Sequence, residues 1–183
     1  VLVLRLGAVT LVYTLLRLLF WALNSMAFPD PSFWAFVGGV RFDLSAIAWL
    51  YLPWIVLFLI NPYPNKLFGR IQFWVFMTIN AITLFFQCVD LEFYKFSLKR
   101  STADFLNMMV SGGDTINLAP AFLRDYWYIA LIYVGCLTLI GWIYERVGHI
   151  GEPVERKAFQ QISWRILAVV LVGLASRGGL QLM

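Results

Sequence analysis

Long apolar runs separated by short polar stretches dominate the chain. Five of them approach the length at which an apolar helix crosses hydrocarbon, about 20 residues: 3–23, 44–60, 71–89, 127–144 and 162–176. They predict an all-α membrane protein, a five-helix transmembrane bundle over 1–176 whose two ends lie on opposite sides. The last run is interrupted by Arg165 and is strictly apolar only from Ile166 to Ala175, so it spans only if Arg165 snorkels toward water. The first run is no signal peptide, because its apolar stretch continues past Leu23 without a small-residue cleavage site. Val1 and Met183 read as trimmed ends of a longer chain, with 177–183 the start of a linker.

The polar stretches differ in kind. From Asn24 to Phe36, Pro29, Asp30 and Pro31 predict a rigid turn, followed by Phe33, Trp34 and Phe36 at an interfacial depth. Pro62 and Pro64 predict a tight hairpin between the second and third spans, and Lys66 and Arg70 then open the third. The segment 90–125 is too charged to span yet holds Phe105, Leu106, Met108, Met109 and Val110, which predicts a short interfacial helix between spans 3 and 4. Glu145 to Gln161 reads as a solvated linker, with Gly148, Gly151 and Pro153 stopping the helix early and His149 alone in the loop.

Polar residues inside the spans fall into stripes. Asn80, Thr83, Gln87, Asp90 and Tyr94 recur at helical spacing, within about 80° of one face. Interhelical hydrogen bonding accounts for such a stripe; a polar groove leading to the membrane surface at Asp90 is the functional alternative. Thr10, Thr14, Arg17 and Asn24 form a second stripe. An unpaired Arg17 in hydrocarbon costs at least about 3 kcal/mol, so a carboxylate partner is expected, with Asp43 and Asp90 the candidates. Arg41 and Asp43 stand at the mouth of the second run, and Asp43 reads as a helix N-terminal charge.

Composition agrees with the pattern. The chain is 61% hydrophobic and 17% aromatic, and 13% charged residues cannot cover a soluble globule of 183 residues. The net charge of +4 points to lipid phosphates, and no nucleic-acid motif is present. Lys and Arg divide seven to six between the two sides, which sets no orientation. Cys88 and Cys136 lie within spans and read as small apolar side chains. No residues here have the spacing of a metal site. An odd number of crossings between them brings Arg41, 90–100, Arg124 and Arg177 to one side. There Arg41, Lys99, Arg100, Arg124 and Arg177 form a candidate surface for anionic phospholipid headgroups, backed by a polar network of Arg17, Asp43, Asn80, Gln87, Asp90 and Tyr94.

Three segments carry a resemblance: Gly39-Val40-Arg41-Phe42-Asp43-Leu44-Ser45; Asp90-Leu91-Glu92-Phe93-Tyr94-Lys95-Phe96 with Lys99-Arg100-Ser101-Thr102; and Ser176-Arg177-Gly178-Gly179-Leu180-Gln181. In this order they resemble the N-terminal membrane region of lipoteichoic acid synthase family proteins, sulfatase-like phosphoglycerol transferases of the alkaline phosphatase superfamily. The resemblance implies five spans in the bacterial cytoplasmic membrane, N-terminus inside and C-terminus outside. It also implies an extracytoplasmic catalytic domain, outside this chain, that uses a threonine nucleophile and manganese or zinc. No catalytic residue, metal ligand or cofactor is therefore expected in 1–183. The expected partners are membrane lipids and that catalytic domain, and a homo-oligomer stays open. The competing classes are a stand-alone transporter or lipid-translocating module, and an assembly subunit that binds through aromatic faces such as Phe73, Trp74 and Phe76.

Overall fold

The computed structural model describes residues 1–28, 32–60, 65–98, 124–150 and Gly173, and the regular structure among them is entirely helical. Five α-helices follow one another: α1 (Leu2–Leu23), α2 (Phe33–Leu50), α3 (Leu52–Ile60), α4 (Lys66–Ser97) and α5 (Trp127–Ile150), with a 3₁₀ turn at Ser25–Ala27. Among the described residues α1, α4 and α5 are each long and apolar enough to cross a bilayer, and α2 with α3 form a fourth such unit if the bent pair counts as one.

Local chemistry sets several of the boundaries. Asn24 ends α1: its backbone N–H reaches Phe20 O and Trp21 O, and its side-chain amide also donates to Phe20 O at 3.0 Å. Asn65 caps α4, its side chain accepting from Phe68 N at 3.0 Å. Leu98 closes α4 in the left-handed region at φ 52° and donates its N–H to Tyr94 O at 2.9 Å.

The expected single run over 44–60 is two helices bent by 59°, and helical structure already begins at Phe33. Pro53 explains the bend. It lacks an N–H for the Trp49 carbonyl one turn back, its ring crowds that carbonyl, and it disfavours helical geometry at Leu52. Asp43 is accordingly placed deep within α2, whose first turn has no acidic residue, so it is not a helix N-terminal charge. Helix α4 runs through Ser97, which takes 90–97 out of the interfacial segment and makes them the last turns of a 32-residue helix. Helix α5 passes through Gly148 to Ile150, which puts His149 on a helix instead of in a loop. The interfacial helix over 99–123 and, apart from the helical Gly173, the fifth span over 162–176 lie outside the described residues.

Three contacts fix the directions of the helices. Arg5 near the start of α1 donates to Tyr144 O late in α5, Gln72 early in α4 donates to Leu57 O late in α3, and Asn24 after α1 donates to Leu91 O late in α4. Helices α1 and α4 therefore run one way and α3 and α5 the other, and α2, bent by 59° from α3, leads into α3. The two ends are called here the Arg5 end and the Asn24 end.

Aromatic side chains make the core. Trp54 and Tyr51 are fully buried against Phe76, with ring centroids 4.9 and 5.5 Å away, and Tyr144 closes the cluster 4.8 Å from Phe76. Val9, Val12, Leu16, Leu84 and Cys88 continue the core along α1 and α4. Many large apolar side chains face outward, among them Trp49, Trp74 and Trp142, each more than half exposed. That inversion suits a lipid environment better than water.

If Pro53 causes the bend, Pro53→Ala should straighten the α2–α3 pair. Spin labels at the two ends of the pair should then move apart in pulsed electron resonance, and an unchanged distance would place the cause in tertiary packing.

Candidate functional site

Toward the Asn24 end, α1, α2 and α4 bring charged and polar side chains together inside apolar surroundings. Arg17 lies on α1 about 9 Å of helical rise before Leu23. Its Nη2 meets Asp43 Oδ1 of α2 at 2.5 Å. The side chains are 23% and 15% exposed, so the pair is largely withdrawn from solvent. A neighbouring glycine makes the approach feasible. A Cβ built on Gly39 would overlap the Arg17 guanidinium, so α2 presents bare backbone where the side chain crosses.

Around the pair a recess of about 70 Å³ is lined by Tyr13, Leu16, Arg17, Phe20, Asp43 and Gln87, and its wall is mostly polar. Gln87 is half-buried, and its amide makes no hydrogen bond to a described residue. Tyr13 donates its hydroxyl to Thr83 Oγ1 at 2.5 Å, and Thr83 in turn donates to Ile79 O at 2.8 Å. Arg17 and Asp43 are the charged side chains among the described residues that line the recess.

Other members of the expected polar network are spread along the bundle. Asn80 is fully buried at its middle, accepting from Tyr51 Oη at 2.7 Å and donating to Phe76 O at 2.8 Å. Asp90 is buried near the Asn24 end, and Arg17 pairs with Asp43 instead. Tyr94 packs its ring 5.1 Å from Phe20 and 5.5 Å from Phe28. Thr10 and Thr14 satisfy themselves within α1, donating to Leu6 O and Thr10 O, so they take no part in an interhelical stripe.

Of the five cations expected to meet headgroups, Lys99, Arg100 and Arg177 lie outside the described residues. Arg124 is exposed and 3.6 Å from Asp125, a solvated pair of little consequence. Lys95 is paired with Glu92 at 2.7 Å. Arg41 is exposed on α2 and is the one cation at this end without an ion-pair partner among the described residues. Segment 39–45 reaches the site through Asp43, and Leu91 of segment 90–96 accepts from Asn24 at the same end. Two of the three segments that carried the resemblance thus share one end.

No family model, curated protein or solved structure matches the chain. The site must be read from its own chemistry. Among the described residues no three His, Cys, Asp or Glu side chains gather as metal ligands would.

Two groups escaped sequence reasoning. Arg5 is buried at the opposite end, its guanidinium 3.5 Å from the Tyr144 ring centroid and bonded to Tyr144 O at 3.1 Å. The Tyr144 carbonyl and ring face supply the negative potential that a carboxylate would otherwise provide. Gln72, buried and bonded to Leu57 O, lies two turns before Asn80 on the same face of α4; extending the stripe backward at helical spacing would have found it. Nothing in the local sequence announces Arg5, because its partner is 139 positions away.

Proposed function

We propose that this chain is a multi-pass domain of the bacterial cytoplasmic membrane that anchors a sulfatase-like phosphoglycerol transferase module at the outer face and presents anionic lipid to it. One observation carries the reading: segments 39–45 and 90–96 both lie toward a single end of the bundle, each bonded to the last turns of α1 or to Asn24 after it, with Arg41 exposed there and without an ion-pair partner among the described residues. Outward-facing Trp49, Trp74 and Trp142 support residence in lipid. On this reading α1 starts in the cytoplasm, the Asn24 end faces outward, and Arg41 offers a fork of N–H donors to a lipid phosphate.

The test uses the full-length protein with its catalytic domain. Arg41→Ala should lower turnover of a lipid-linked substrate about tenfold, the size of one lost charge-assisted contact, while turnover of a soluble headgroup analogue stays the same. Equal losses on both substrates would sink lipid presentation. The mutual hydrogen bonding of Tyr51 with Asn80 and of Tyr13 with Thr83 favours an anchor over a translocating module, because these central polar groups are engaged in packing. Solute or lipid flux through proteoliposomes holding this chain alone would reverse that choice.

A further inference from the structure

We infer that the Arg5 end of the bundle binds the phosphates of anionic phospholipids through two matched couples, Arg70 with Trp74 on α4 and Arg146 with Trp142 on α5. This goes beyond the presentation of lipid by Arg41 at the opposite end, and it rests on membrane residence alone, not on the transferase.

Charge is shared unequally between the two ends. Among the described residues, Asp43, Asp90, Glu92 and Asp125 all lie toward the Asn24 end, where Arg17, Lys95 and Arg124 pair with one or another of them at 2.5–3.6 Å. The Arg5 end sets Arg5, Lys66, Arg70 and Arg146 against the single carboxylate of Glu145, and no ion pair joins these five among the described residues. Tyr144 steadies the buried Arg5 guanidinium with its ring and carbonyl but does not cancel its charge, and Arg5 Nε has no hydrogen-bond partner. Positive charge therefore stands uncompensated at this end.

The tryptophans identify the ligand as a lipid. On α4, Lys66, Arg70 and Trp74 follow one another at steps of four, share a face and are all exposed. On α5, which runs the other way, exposed Trp142 precedes exposed Arg146 by the same step, and the Arg146 guanidinium lies over the Trp142 ring, 5.4 Å from its centroid. The Phe73 and Tyr144 rings, 5.3 Å apart, join the two helices beside these couples, so each arginine stands outside its tryptophan at the same end. Four residues of helix rise about 6 Å, close to the roughly 5–7 Å depth of one headgroup layer. An indole at the edge of the hydrocarbon thus places its arginine among the phosphates. A soluble anion would have no use for exposed indoles one turn nearer the hydrocarbon.

The sign of the charge selects the headgroup. A zwitterionic lipid offers the same phosphate but brings an ammonium to an end already rich in cations, whereas an anionic lipid adds none. A guanidinium whose face covers an indole keeps N–H groups at its edge, and these match two phosphate oxygens.

The experiment reconstitutes the protein in liposomes and labels it with photoreactive phosphatidylglycerol or photoreactive phosphatidylcholine, each bearing a diazirine at the top of an acyl chain. Phosphatidylglycerol should label α4 around Lys66–Trp74 and α5 around Trp142–Arg146 at least about fivefold more than phosphatidylcholine, the gain expected of one cation near an anionic surface. Arg70→Gln should lower that preference about fivefold on α4 and leave it on α5, and Arg146→Gln should do the reverse. Both side chains are exposed, so both variants should keep the parent's unfolding midpoint. Inorganic phosphate at the concentration of the lipid should not compete. Equal labelling by the two lipids, a preference that each single variant leaves intact or lowers on both helices alike, suppression by inorganic phosphate, or no label in these peptides would each overturn the assignment. Turnover is not measured, so failure of the transferase reading would leave these outcomes unchanged.

Discussion

Asp43→Ala should lower fold stability by about 3 kcal/mol, seen as an earlier unfolding midpoint in detergent. The loss comes from Arg17, which keeps its charge, cannot reach bulk water without dragging its stem out from beside Gly39, and has lost the carboxylate at 2.5 Å. Removing both charges should be milder than removing one. The Arg17→Met, Asp43→Leu double variant fills the space with apolar atoms, and most of the lost stability should return. If the double variant were as unstable as Asp43→Ala, packing around Asp43 and not its charge would be the cause. Gly39 supplies an independent check through the same side chain. Gly39→Ala should be destabilising while Arg17 is present and nearly silent once Arg17 is Met, a coupling expected only of groups in direct contact.

Trp54→Ala should be about as damaging, at roughly 3–5 kcal/mol, because the cost of a large core truncation combines lost contacts with an unfilled cavity. Trp54 is fully buried and touches three rings from three helices: Phe58 at 5.5 Å in α3, Phe76 at 4.9 Å in α4 and Tyr144 at 6.3 Å in α5. Between helices surrounded by lipid, close packing replaces the expulsion of water as the force holding them together, so a hole of this size has no compensation. Trp54→Phe should keep more than half of the lost stability. An unfolding midpoint in Trp54→Ala within a degree or two of the parent would mean that α3 contributes little to the bundle.

Much of this arrangement could be read from periodicity. The run over 3–23 became α1 nearly residue for residue, because an unbroken apolar stretch ending at a capping Asn has few other options. The demand for a carboxylate near Arg17 followed from the cost of an unpaired charge in hydrocarbon, and the choice between Asp43 and Asp90 needed the packing of α1 against α2. Pro53 was visible yet masked by the strongly apolar residues around it, so a hydropathy pattern alone joined what backbone geometry divides. The polar stripe on α4 located Asn80 and Gln87 but not what each does, since one bonds to Tyr51 and the other lines a recess. Arg5 was illegible for a different reason: its partners are an aromatic face and a carbonyl, and neither has the opposite charge that a reader looks for.

The length of α4 also bears on whatever follows it in the chain. Thirty-two residues at 1.5 Å each make a rod of about 48 Å, against a hydrocarbon layer of about 30 Å. With Lys66 at one water boundary, the rod must either lean steeply or stand well clear of the opposite surface. Its last turns carry Asp90, Glu92 and Lys95, which favours standing clear. Helix α4 would then act as a spacer that sets the height at which the next segment leaves the membrane, and inserting or deleting one turn near its end would raise or lower that height by about 5 Å.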